Sequence, residues 1–185
     1  MVLQMKDLMG TKTEQNLREA FAGESMAYNK YKQFESRARK EGYQEIADIF
    51  QETAKNEQAH SAIWLRELKA IGDTKKNLGS GAEGEYYEHS EMYPRMAEEA
   101  RQEGFPELAQ LFEAVGKVES MHEQRYRDYL DQLNQGTVFQ NPSGEQVQWI
   151  CLNCGHIHTG VSAPVVCPVC AHPQGYFKKV QSQNQ

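Results

Sequence analysis

Cysteine is scarce and confined: Cys151, Cys154, Cys167 and Cys170 are the only four, and the first 150 positions have none. That excludes a disulfide framework across the chain, and two Cys-x-x-Cys pairs of this kind indicate a metal before they indicate disulfides. Long hydrophobic runs are also missing. The longest apolar stretches are far too short to span a bilayer, and Met1–Leu8 lacks the apolar core of a signal peptide. Nor is there an excess of positive charge. Twenty Lys and Arg stand against 26 Asp and Glu, a net charge of −6, which argues against a nucleic-acid partner. The expectation is an acidic, cytoplasmic chain with no membrane partner. Its 185 residues suit one medium domain, or one domain plus a small one.

What is present begins with helices. Thr11-x-x-Glu14 reads as a capping box opening a first helix, which carries Leu17, Phe21, Met26, Tyr28, Tyr31 and Phe34 and fades near Glu41-Gly42. A second runs from about Gln44 to Ala70, with Ile46, Ile49, Phe50, Ala54, Ile63, Trp64 and Leu68 at helical spacing and Gly72 as its stop. Residues 73–81 read as a connecting loop. A third helix covers about Ala82 to Glu103, with Pro94 expected to bend it or loosen one turn. The fourth spans about Pro106 to Leu133. Four long helices with one longer central connection predict an all-α, ferritin-like four-helix bundle over residues 1–136. Turn residues at 135–137 and 141–144 then mark a boundary, and Val147–Ile150 reads as a short strand opening a small domain over 145–185.

The bundle contains a repeat. Residues 38–60 align without gaps onto residues 100–122, an offset of 62, matching Glu45 with Glu107, Ala47 with Ala109, Phe50 with Phe112 and Lys55 with Lys117. The same alignment superposes Glu57-x-x-His60 on Glu119-x-x-His122. Residues three apart on a helix share a face, so each Glu and His can reach one point. Upstream the register breaks, since at this offset Glu24 falls opposite Tyr86.

Two Glu-x-x-His helices facing each other, with a further Glu from each of two others, make the ligand set of a di-iron carboxylate site. Here the first helix offers Glu24, and the third offers Glu88-x-x-Glu91. Seven candidate ligands result: Glu24, Glu57, His60, Glu88, Glu91, Glu119 and His122. Oxygen and imidazole donors without thiolate suit iron or manganese. Five inward carboxylates could not all stay charged in a dry core without cations. The surplus acid would let a metal exchange ligands as its charge changes, as a redox centre requires. Tyr31, seven residues beyond Glu24, is a candidate hydrogen-bond donor to the site or else a core tyrosine; His89 is expected to face solvent.

Cys151-x-x-Cys154 and Cys167-x-x-Cys170 lie twelve residues apart and predict a single tetrahedral metal. The pattern alone fits a structural zinc ribbon as well as an iron electron carrier. His156, His158 and His172 flank the knuckles and are expected to be exposed, since four thiolates already fill the site.

With both sites assembled the chain resembles the rubrerythrins. The resemblance is carried by Ala20-Phe21-Ala22-Gly23-Glu24-Ser25, Asn56-Glu57-x-x-His60, Gly84-Glu85-x-x-Glu88-x-x-Glu91-Met92-Tyr93-Pro94 and Val118-Glu119-x-x-His122. Trp149-x-Cys151-x-Asn153-Cys154-Gly155 and Cys167-Pro168-x-Cys170-Ala171-His172-Pro173 resemble the rubredoxin-like domain of that family, with Ala171 where free rubredoxins have Gly. The resemblance implies a non-haem di-iron peroxidase that reduces hydrogen peroxide to water in oxidative stress protection. It implies a di-iron oxo centre on the seven ligands, bridged by Glu57 and Glu119, with Glu91 trading for His60 on reduction. It further implies one iron on the four cysteines, zinc being possible in preparations. Electrons would come from a separate NAD(P)H-linked reductase or a rubredoxin, and the molecule would be a homodimer. The alternative is a ferroxidase or iron-handling ferritin-like protein.

Overall fold

The structure is a computed structural model and describes residues 8–180. Among these residues five α-helices and three strands are formed: α1 (Lys12–Lys40), α2 (Gln44–Glu67), α3 (Thr74–Tyr87), α4 (Tyr93–Gln102), α5 (Pro106–Gln135), β1 (Val147–Cys151), β2 (Ile157–Gly160) and β3 (Phe177–Lys179). The chain parts into two compact units between Asp73 and Thr74. The first is the α1–α2 hairpin. The second holds α3, α4 and α5 with the small sheet.

The capping box of α1 forms. Thr11 accepts the Glu14 N–H, while the Glu14 carboxylate reaches back to the Gly10 N–H at 2.7 Å rather than to Thr11 itself. A guanidinium fastens the far end of the hairpin: Arg39 bonds Glu35 on its own helix and Asp48 and Gln51 on α2. The second hairpin repeats the device 62 positions on, where Arg101 bonds Glu113 of α5. Small residues line both seams. Ala47 and Ala54 on α2 and Ala109 on α5 are fully buried, and Ala97 and Ala100 pack with Ala109 under Phe112.

α2 stops at Glu67, short of Gly72. Lys69 adopts the left-handed conformation, at φ 51°, and the Ala70 N–H closes back onto the Leu65 carbonyl. The expected loop at 73–81 is also revised, because α3 starts at Thr74. Gly79 and Gly81 disfavour a helix locally, but the Tyr126 ring of α5 lies 3.1 Å from where a Gly81 side chain would begin. Only a bare backbone allows α3 to sit that close, and this packing overrides propensity.

The third helix is interrupted where Pro94 predicted. Glu88–Met92 forms a π turn, closed by a bond from the Tyr93 N–H to the Glu88 carbonyl. Pro94 has no N–H to give the Ser90 carbonyl, so the α-helical ladder cannot run through this point.

In the small domain β1 is central, antiparallel to β2 and β3. Trp149, Cys151, Ala163, Cys167 and Phe177 form its core, and the Trp149 indole donates to the Gly160 carbonyl. Asn141 is buried at the entrance, bonding the Glu145 carbonyl and accepting from Lys179.

An L-residue in the left-handed region costs about 1–2 kcal/mol. Lys69→Gly should therefore raise the urea midpoint, gaining about 0.5–1 kcal/mol once glycine's extra chain entropy is subtracted. A neutral or lowered midpoint would show that Lys69 carries no strain.

Candidate metal centres

Each unit holds one cluster of acid and imidazole. In the first, Glu24 of α1 meets Glu57 and His60 of α2; in the second, Glu85 of α3 meets Glu119 and His122 of α5. The geometries repeat. His60 Nδ1 lies 2.9 Å from Glu57 and 3.8 Å from Glu24, and His122 Nδ1 lies 2.6 Å from Glu119 and 3.8 Å from Glu85. The Glu-x-x-His pairs thus fold on their helix faces as their spacing dictates.

Glu85 was not among the seven candidates. It takes the position opposite Glu119 that the sequence assigned to Glu88-x-x-Glu91, and Glu91 lies exposed outside both clusters. The π turn supplies the reason. From Ala38 and Ala100 onward the repeats differ by 62 positions, yet Glu24 and Glu85 differ by 61. The second hairpin therefore carries one extra residue between its acid and its arginine corner, and the π turn absorbs it. One added residue rotates the downstream side chains by roughly 100°, so Glu91 no longer shares the face of Glu85 and Glu88. The signal was readable: Gly23-Glu24 matches Gly84-Glu85 once the offset is 61.

Glu88 is half-buried one turn beyond Glu85, close enough for its charge to raise the pKa values of both Glu85 and Tyr93. Tyr31 is half-buried against Phe34 and Phe50, its ring 6.3 Å from Phe50. Tyr93 is its repeat partner, 62 positions on, with its ring 6.2 Å from Phe112. Burial first, then Glu88, Glu119 and Glu85, hold the Tyr93 hydroxyl above the ordinary phenol range, so it stays a hydrogen-bond donor among acids.

The acids themselves resist ionising together. A hydrogen bond with Glu57 raises Glu24 above 4.5, with burial and the Glu57 charge adding to it. Burial, then Glu119, raises Glu85. Paired acids that disfavour each other's charge where a cation could sit are the electrostatics of a metal site, and the donor set suits iron or manganese.

The four sulfurs close a separate cage in the small domain. Cys151–Cys170 and Cys154–Cys167 are both 3.7 Å apart, close to the roughly 3.8 Å edge of a tetrahedron with 2.3 Å metal–sulfur bonds. Two matching knuckles build it. The Cys151 N–H bonds the His156 carbonyl and the Cys167 N–H that of His172, with Gly155 at φ 76° and Ala171 at φ 58° completing the turns. His156 and His172 in turn direct backbone N–H groups to Cys154 and Cys170. The His172 N–H pulls Cys170 down to about 6 against burial. At Cys154 the lowering by His156 is outweighed by burial and by the other three thiols, which push it up to about 12. His156, His158 and His172 are half-buried rather than exposed, and the His172 ring packs edge-on against Tyr176 with centroids 4.4 Å apart.

A family model described as Rubrerythrin matches residues 15–130, across both acid–imidazole clusters. The chain belongs to the rubrerythrin family. A second model, the rubrerythrin rubredoxin-like domain, matches residues 149–178 and with them all four cysteines. The rubrerythrin of Nitratidesulfovibrio vulgaris is 40% identical, the match covering 94% of this chain and 97% of that one. The rubrerythrin of Porphyromonas gingivalis is 42% identical, covering 96% and 94%. A solved structure of nigerythrin in a partially reduced state is 31% identical, covers 97% of this chain and 92% of its own, and has a TM-score of 0.36. As a rubrerythrin the chain is an oxidoreductase with a ferritin-like helical region and a rubredoxin-like domain, whose cofactors are a di-iron centre and one iron on four cysteines. Among the described residues no helix is long and apolar enough to cross a membrane.

Removing Glu85 should cost metal affinity at its cluster by more than the roughly 10–100-fold typical of an outer-shell change. Glu85→Ala should lower bound iron toward one per chain in the helical region, while Glu91→Ala retains two; the reverse result would restore Glu91. Since metal must compete with protons that Glu24 and Glu85 bind more tightly than ordinary carboxylates do, affinity should fall as pH is lowered into the carboxylate range.

Proposed function

We propose that this rubrerythrin is a peroxidase that reduces hydrogen peroxide to water, using Glu24, Glu57, His60, Glu85, Glu88, Glu119 and His122 to hold two irons. The observation that carries this reading is the near-identity of the two clusters, each with two acids and one imidazole, plus a seventh donor on one side only. Bound iron would supply two electrons to the O–O bond, and iron on the four thiolates would return them one at a time.

The side chains do the rest. Glu57 and Glu119 each stand beside their own histidine, so each Glu-x-x-His pair could share one metal. Glu88 is the spare carboxylate: a set with one acid in excess can exchange carboxylate for imidazole as its charge changes, the part that the sequence pattern assigns to Glu91. Tyr93, kept protonated by its acidic neighbours, holds a proton near Glu88 and Glu119 and can deliver it to a leaving oxygen. Tyr31, in the equivalent position of the first hairpin, is assigned the same part.

Electron entry is supported at the cysteine cage. Cys154 is exposed, and Leu152, Val165 and Val169, at 60%, 75% and 67% exposure, surround the knuckles with apolar surface for a donor protein. A ferroxidase has no need of such a carrier. Ile46 and Ile49 on α2 and Leu108 and Leu111 on α5 are also left exposed, which supports a homodimer. A monomer in sedimentation of the iron-loaded chain would refute that.

Reduced protein mixed with peroxide in a stopped-flow instrument should reoxidise its four-cysteine iron within the enzyme's turnover time. Glu57→Ala and His122→Ala should each slow this at least about 1000-fold, the scale of losing a group the reaction depends on. Wild-type kinetics in either variant, or faster turnover with oxygen than with peroxide, would overturn the proposal.

A further inference from the structure

His89 belongs to neither cluster, yet it is not the exposed residue its sequence position suggested. Its side chain is 21% exposed and crosses from the π turn to α5, where Nε2 meets the Glu123 carboxylate at 2.6 Å. Glu123 is held ionised by His89 first and by Arg127 second, Arg127 bonding its other oxygen. An ionised carboxylate only accepts, so Nε2 is the donor. Tyr86 packs edge-on against the same ring, with centroids 5.5 Å apart.

The turn needs such an anchor. It has given up α-helical bonding at Pro94, and His89, Tyr93 and Pro94 border a cavity of about 520 Å³ on the side facing Gly116 and Ser120. The turn is open to solvent on that side, and Glu88 is its first residue. We infer that His89 is a positioning residue that fixes the π turn, and with it Glu88, through its hydrogen bond to Glu123. An imidazole clasped to α5 beside Glu88 sets where that carboxylate points.

This inference rests on reading Glu88 as a metal ligand, and the test separates the two. Metal-free full-length protein is titrated with cobalt(II), following the visible bands of carboxylate–imidazole sites apart from those of the tetrathiolate. His89→Phe, which keeps the ring against Tyr86 but removes the donor, should weaken cobalt binding at one helical site by roughly 10-fold or more, with the thermal midpoint of the metal-free chain unchanged. His89→Gln, which restores a donor, should bind within about threefold of wild type, and Glu88→Gln should bind at least as weakly as His89→Phe. Wild-type binding by His89→Phe beside weak binding by Glu88→Gln would overturn the inference and leave Glu88 a ligand. Wild-type binding by Glu88→Gln would remove the ligand reading and the inference with it. Equal weakness of His89→Phe and His89→Gln would also overturn it. Should His89→Phe not fold, Glu123→Leu deletes the acceptor from α5 and is judged by the same outcomes.

Discussion

Pro94 has no N–H, and the arrangement of acids in the second hairpin follows from that one missing donor. The Ser90 carbonyl goes without its helical partner, the ladder widens, and the Tyr93 N–H closes a π turn onto Glu88. One residue is absorbed in the widening. Before the turn Glu85 joins Glu119 and His122, and Glu88 opens the turn close to Glu85; further into it, Glu91 lies exposed. After it, the helix regains the 62-residue register, so that Arg101, Tyr93 and Phe112 repeat what Arg39, Tyr31 and Phe50 do in the first hairpin. The local disruption keeps the rest of the duplication in phase.

Both kinds of metal centre exploit the cost of crowding like groups. Glu24 beside Glu57 and Glu85 beside Glu119 hold protons more tightly than an exposed carboxylate does. Four thiols within a few ångströms of one another likewise share theirs unequally, Cys170 giving up its proton readily and Cys154 holding on. In each place a cation relieves what the fold has compressed, and binding free energy becomes folding free energy. The small domain depends on this most. Its apolar core rests on Trp149 and Phe177, with Ala163 and two cage cysteines filling the remainder.

Much of the molecule was legible along the chain. Period-three spacing put Glu57 with His60 and Glu119 with His122, because a helix face is a local property that tertiary packing does not alter. The cysteine knuckles were equally plain, since a Cys-x-x-Cys turn is closed by its own backbone. Helix limits were less secure. Lys69 ends α2 in a conformation better suited to glycine, and α3 begins within a run of glycines because Tyr126 packs on Gly81. No window of local sequence contains Tyr126.

The order of residues was enough to settle the duplicated hairpin, the two Glu-x-x-His pairs, the four-cysteine cage and the need for an acid on the third helix. Packing decided which acid meets Glu119 and His122. Glu85, Glu88 and Glu91 stand three residues apart, so on a uniform helix Glu88 would sit between the other two, within about 60° of each. The π turn at Pro94, together with the packing of α3 and α4 on α5, brings Glu85 to Glu119 and leaves Glu91 exposed. His89 shows the same division: its place beside Glu88 was visible, but its partner Glu123 lies 34 residues away on another helix. Spacing along a chain fixes what a single helix can present, and packing between helices fixes what that side chain meets.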